Sequence, residues 1–89
     1  MAGPCSGLTV LDFSRGIPGA LATAVLADFG AEVIKVEPPT GDPFRYQPNW
    51  LAWNRGKKGI VLDLASAEGR EQAHQLAARG DIVVESFPP

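Results

Sequence analysis

The stretch Ser14-Arg15-Gly16-Ile17-Pro18-Gly19 stands between an apolar run and a helical pattern, where a chain can hold a phosphate group. Free amides at a helix N-terminus attract anions, and glycine lets the backbone come close to them. The spacing here is Gly-x-x-Gly, short of the full Gly-x-Gly-x-x-Gly fingerprint, so a tight connection with no ligand explains it equally well. Glu37 closes a second apolar run, the place where dinucleotide enzymes put an acid for ribose hydroxyls. That keeps a nicotinamide-binding half in view, although a solvated carboxylate at a strand end is simpler. Asn54-Arg55-Gly56-Lys57-Lys58 gathers positive charge that suits a diphosphate, or else a solvated turn entering a sheet.

The remaining candidates point away from catalysis. Asp12 and Asp63 fall in or near strand ends, where structural hydrogen bonding is the expectation. His74, beside Gln75 in a helical stretch, belongs on the wet face, with neither a nucleophile nor a second metal ligand near it. Ser14, Ser66 and Ser86 have no adjacent base to activate them. Cys5 is the lone cysteine, expected as a free thiol near a mobile terminus, and it offers neither a disulfide nor metal spacing.

The elements that must position these groups follow from periodicity. Leu8-Thr9-Val10-Leu11-Asp12-Phe13 reads as a first strand, apolar at both parities and so buried on two faces, as in a parallel sheet. From residue 20 to 29, Leu21, Ala22, Val25, Leu26 and Phe29 form a helical stripe. Gly30 supplies the left-handed residue that ends such a helix. Ala31-Glu32-Val33-Ile34-Lys35-Val36-Glu37 is a second strand stopped by Pro38-Pro39. Residues 40–54 read as one long irregular stretch with Phe44, Tyr46, Trp50 and Trp53, aromatics expected to lack partners and to be mobile or self-associating. Gly59-Ile60-Val61-Leu62-Asp63-Leu64 is a third strand. Ser66 caps a second helix, with Glu68 in its first turn, Ala73, Leu76 and Ala77 on its buried face, and Gly80 at its end. Asp81-Ile82-Val83-Val84-Glu85 is a fourth strand. The fold class is therefore α/β: a Rossmann-like open parallel sheet of about four strands with two main helices, joined by right-handed crossovers. In such a sheet ligands bind beyond the carboxyl ends of the strands. That edge gathers residues 14–19, Glu37-Pro38, residues 63–65 and residues 85–88.

Composition bounds the rest. The chain has 89 residues, 45% of them hydrophobic and 20% charged, which suits one small globular domain. A net charge of −2 gives no field to recruit nucleic acid or an anionic membrane. No apolar run nears the roughly 20 residues of a spanning helix. The opening Met1-Ala2-Gly3-Pro4-Cys5 lacks the pattern of a secretory signal, so a cytoplasmic location is expected.

In family order, nearly the whole chain resembles the start of the class III CoA-transferase family, which includes formyl-CoA transferase and carnitine CoA-transferase. The words that carry the resemblance begin with Leu8-Thr9-Val10-Leu11-Asp12-Phe13-Ser14-Arg15 and Ala27-Asp28-Phe29-Gly30-Ala31-Glu32-Val33-Ile34-Lys35-Val36-Glu37-Pro38. They continue with Gly41-Asp42-Pro43, Asn54-Arg55-Gly56-Lys57-Lys58, Val61-Leu62-Asp63-Leu64, Glu68-Gly69-Arg70 and Asp81-Ile82-Val83-Val84-Glu85-Ser86-Phe87. Each word is unspecific; their order and spacing together are not.

The resemblance implies that residues 1–89 are the N-terminal part of a Rossmann-like domain that holds the nucleotide of coenzyme A. In the family an aspartate carboxylate attacks an acyl-CoA thioester, and CoA passes between carboxylic acids through covalent intermediates. That aspartate is expected beyond residue 89, so no residue here is catalytic and the chain alone is expected to be inactive. Implied partners are acyl-CoA and the remainder of a longer polypeptide whose subunits interlock as homodimers. CoA contacts carry over to Ile17 and Pro18, to Leu62, Asp63, Leu64 and Ala65, and to Ser86 and Phe87. Pro38 stands where the family often has a basic residue, and Ser86 where it has asparagine. The related alpha-methylacyl-CoA racemases share this opening, and a non-catalytic nucleotide-binding module is the remaining alternative.

Overall fold

A computed structural model describes residues 3–87. Its regular elements are β1 (Thr9–Asp12), α1 (Ile17–Asp28), β2 (Glu32–Glu37), α2 (Trp50–Trp53), β3 (Lys57–Val61), α3 (Ala67–Arg79) and β4 (Ile82–Val84). The four strands form one sheet in the order β3-β2-β1-β4, with every neighbouring pair parallel. The expected α/β sheet with two main helices is therefore present.

Apolar side chains at alternate positions of β1 and β2 divide the core between the two faces. On one face Leu11, Phe13, Val36 and Leu62 are buried together, with Ile34, Ile60 and the α3 residues Ala73, Leu76 and Ala77 against them. On the other, Val10, Ala31 and Val33 are buried with Leu26 and Ala27 of α1, Cys5, Leu8, Ile82 and Val84. The helices thus lie on opposite faces, and β1 is covered on both sides.

Several local expectations are corrected. Helix α1 begins at Ile17, three positions before the expected start, because Pro18 fits a first helical turn where its missing N–H costs nothing. Its buried face is Ala20, Thr23 and Ala24, whereas Leu21, Val25 and Phe29 of the expected inner stripe are 45–49% exposed. Small residues let the helix sit close on the sheet, Leu26 still reaches the core, and Leu21, Val25 and Phe29 point outward. Strand β3 begins at Lys57, inside the basic run read as a turn, and ends at Val61. Residues 40–54 hold the short helix α2.

Ser66 caps α3 as expected, its Oγ accepting from Gly69 N at 2.9 Å. Gly30 has φ of 105° after α1, a backbone shape that disfavours other residues. The segment before β1 is tied down, with Cys5 N donating to Phe29 O at 2.9 Å and the Cys5 side chain packed against the α1-side core. None of the helices among the described residues is long and apolar enough to cross a membrane.

Candidate functional site

From β1 the chain moves outward through β2 and β3, then returns to the other side of β1 for β4. The direction of winding reverses between β1 and β4, the position at which open α/β sheets form a ligand crevice beyond their carboxyl ends. Residues 13–16 lie on one side of that crevice and residues 85–87 on the other.

The β1 side is held from below by buried polar groups. Asp12 Oδ1 accepts from Ser14 N at 2.9 Å and from Ser14 Oγ; Asp12 Oδ2 accepts from Thr23 Oγ1 at 2.6 Å and from Lys57 Nζ at 3.0 Å. The side chains of Asp12 and Lys57 are 0% and 2% exposed. Burial alone would raise the Asp12 pKa, but the hydroxyls of Ser14 and Thr23 and the charge of Lys57 together bring it below the ordinary aspartate range. For Lys57 the loss of hydration dominates, and its pKa is lowered despite Asp12. Lys57 Nζ also donates to Ala20 O and Asn54 Oδ1, which exhausts its three protons. The structural role expected for Asp12 is thus borne out.

A second buried pair lies beside the first. Lys35 Nζ is 3.0 Å from Asp42 Oδ2 and donates to Ser14 O at 3.3 Å. Asp42 Oδ1 accepts from Phe44 N at 2.8 Å, so the pair ties the loop after β2 to the loop after β1. Burial opposes ionisation of Asp42, but the Phe44 amide and Lys35 outweigh it and lower its pKa. Glu37, expected to be solvated, is 7% exposed; its Oε2 accepts from Arg45 at 3.0 Å, and Arg45 lies 4.6 Å above the Trp50 ring. Of the loop aromatics, Trp50 thus has a partner in Arg45, contrary to expectation, while Phe44 (38%) and Tyr46 (95%) are exposed. Only one oxygen of the Glu37 carboxylate is taken: Glu37 Oε1 is buried with no hydrogen-bond partner among the described residues.

Each cation of the basic run at residues 54–58 is paired with a carboxylate. Lys57 is committed to Asp12, Arg55 bonds Asp28 and Ala52 O, and Lys58 pairs with Glu32 at 3.1 Å.

Across the crevice, Ser86 Oγ accepts from Arg15 N at 2.9 Å and donates to Arg15 O at 3.2 Å. The Arg15 guanidinium lies over the Phe87 ring, 5.4 Å from its centroid. Ser86 and Phe87, expected as ligand contacts, hold Arg15, a member of the 14–19 stretch whose backbone amides rather than side chains carried the phosphate expectation. Ile17 and Pro18 form the exposed first turn of α1 at the same edge. Pro88 lies outside the described residues.

The turn after β3 completes the edge. Leu62 N donates to Glu37 O at 3.0 Å, and its side chain is in the core. Asp63 Oδ1 accepts from Ala65 N at 3.0 Å, a side-chain turn of the kind expected, and Arg70 donates to the Leu64 and Ala65 carbonyls. Leu64 and Phe13 face each other across a cleft of about 310 Å³ whose other walls are Arg70, Ala73, His74 and Ala77 of α3. His74 is exposed and lies on the rim of this largely apolar cleft. Among the described residues there is no cluster of three or more His, Cys, Asp or Glu arranged to hold a metal ion.

Set beside known proteins, residues 5–89 match the model of CoA-transferase family III. The chain belongs to this family. It is 40% identical over a 99-residue alignment to the probable fatty acyl-CoA transferase Rv3272 of Mycobacterium tuberculosis, covering 99% of this chain and 25% of that protein. A crystal structure of Rv3272 superposes with a TM-score of 0.95 at 43% identity, over 99% of this chain and 26% of that one. A second member, succinyl-CoA:mesaconate CoA-transferase of Haloarcula hispanica, is 39% identical over 96% of this chain and 25% of its own length. A CAIB/BAIF family protein from Brucella suis matches with a TM-score of 0.89 at 37% identity. The chain spans about a quarter of the length of these relatives.

Proposed function

We propose that this chain is the CoA-holding N-terminal part of a family III CoA-transferase. The observation that carries the reading is the shared carboxyl edge of a parallel sheet whose winding reverses between β1 and β4. A nucleotide lies beyond that edge, with Ile17 and Pro18 on the α1 side, Ser86 and Phe87 on the β4 side, and residues 62–65 farther along. The apolar cleft between Phe13, Leu64 and α3 supports the fit, since it offers a dry wall to the uncharged pantetheine arm. Acyl-CoA is the substrate, the rest of the family polypeptide and a second subunit are the partners, and the cytoplasm is the location. The carboxylates buried here, Asp12, Glu37 and Asp42, are all engaged by cations, which supports assigning the chemistry to residues outside these 89.

Titration of the isotopically labelled chain with CoA tests the reading. Amide shifts are expected at Ile17, at residues 62–65 and at Ser86 and Phe87; silence up to millimolar CoA overturns it. Incubated with succinyl-CoA and a free dicarboxylic acid, the chain alone is expected to transfer no CoA. Turnover would overturn the assignment of the chemistry elsewhere.

A further inference from the structure

We infer that Arg15 is a phosphate-binding residue of the β1–β4 crevice, with Ser86 and Phe87 as its mount; this deepens the CoA reading above and rests on it. Of the 8 Lys and Arg residues, Lys35, Arg45, Arg55, Lys57 and Lys58 are each paired with a carboxylate. Of the other three, Arg79 closes α3, which leads into the amino end of β4, and so lies away from the carboxyl edge. Arg70 spends one nitrogen on the Leu64 and Ala65 carbonyls. Arg15 is exposed, and among the described residues its guanidinium has neither a carboxylate partner nor a hydrogen-bond acceptor.

Arg15 is nevertheless well placed. Its N–H and C=O are both bonded to Ser86 Oγ, so the backbone is fixed across the crevice. The guanidinium carbon lies over the Phe87 ring, 5.4 Å from its centroid, and the guanidinium N–H groups have no acceptor among the described residues. A planar fork with open edges is the geometry that grips phosphate in two-point fashion. No carboxylate among the described residues forms an ion pair with Arg15. Glu85 Oε2 accepts from Phe87 N, and Asp12 is buried against Lys57. The next residue, Gly16, opens α1, whose amides carry no side-chain cap and add positive potential on the same side.

The whole chain, its Arg15→Gln and Arg15→Lys variants, and the ligands CoA, 3′-dephospho-CoA and pantetheine form the test, read by calorimetry. Loss of one charge-assisted phosphate contact is expected to weaken CoA by about 10-fold or more in Arg15→Gln. Pantetheine, which has no phosphate, is expected to bind the variant as it binds the parent. Lysine is expected to restore part of the loss, since it keeps the charge but not the fork. If the loss persists with 3′-dephospho-CoA, the diphosphate is the group held; if it vanishes, the 3′-phosphate is. Equal CoA affinity in parent and Arg15→Gln overturns the role of Arg15 and leaves the CoA reading standing. Equal weakening of CoA and pantetheine also overturns it, because that marks a general structural effect. A parent chain that binds no CoA defeats the reading and, with it, this proposal.

Discussion

Asp12, Lys35, Glu37, Asp42 and Lys57 are ionisable side chains held almost entirely away from water, in a chain of modest size. Each has a partner, and the partners come from different elements. Lys57 brings β3 to β1, and Lys35 brings β2 to the loops that follow β1 and β2. Removing one member of a buried pair strands a charge without compensation. Lys57→Met is therefore expected to destabilise the fold by about 3–5 kcal/mol. The double variant with Asp12→Asn is expected to cost less than the sum of the two single changes, and urea unfolding of all three measures the coupling. The acid response follows from the same residues. Asp12 and Asp42 have folded pKa values below their ordinary value, so protonation favours the unfolded chain. The stability they contribute is fully present above the ordinary aspartate value of 3.8 and is lost as pH falls through the lower folded values. Urea midpoints taken down through that window are expected to fall, and to fall less steeply in Asp12→Asn.

At the scale of elements, the existence of the four strands and the buried face of α3 were legible, and the buried face of α1 was not. Leu21, Val25 and Phe29 recur at the spacing of a buried stripe, yet the sheet takes Ala20, Thr23 and Ala24. Both faces of α1 are apolar enough to be the inner one, so hydrophobic spacing alone could not choose. Closeness decides: Thr23 must reach Asp12, and Gly19 sits so near Ser14 that a side chain there would collide with it. Leu21→Gln and Val25→Gln are expected to change stability by less than about 0.5 kcal/mol each. Ala24→Leu, which overfills the seat, is expected to cost about 1–3 kcal/mol in the same assay. Strand β3 was misjudged at its start for a related reason. Lys57 and Lys58 look like a wet turn, and only a carboxylate 45 positions earlier makes an inward lysine tolerable. Among the candidate site residues, the family pattern pointed to Ser86 and Phe87 but not to the contacts they make with Arg15. Arg15 emerged only when its neighbours across the crevice were known.

For the whole molecule, alternating strands and helices implied a parallel sheet but not its order. The order β3-β2-β1-β4 places β1 and β2 inside and leaves β3 and β4 as edges. Amide exchange is expected to be slowest in Val10, Leu11, Val33 and Val36, which are at most 5% exposed, and faster in β3 and β4. Equal protection in all four strands would contradict that ranking.

The tie between Lys57 and Asp12 also bears on the sequence of events during synthesis. A ribosome delivers Asp12, Ser14 and Thr23 well before residue 57, so the nascent amino-terminal half carries an acid with no counter-ion to accompany it into a dry interior. That half stays hydrated and provisional as it emerges. The central strand becomes final only when a lysine arrives on a strand that never lies next to it.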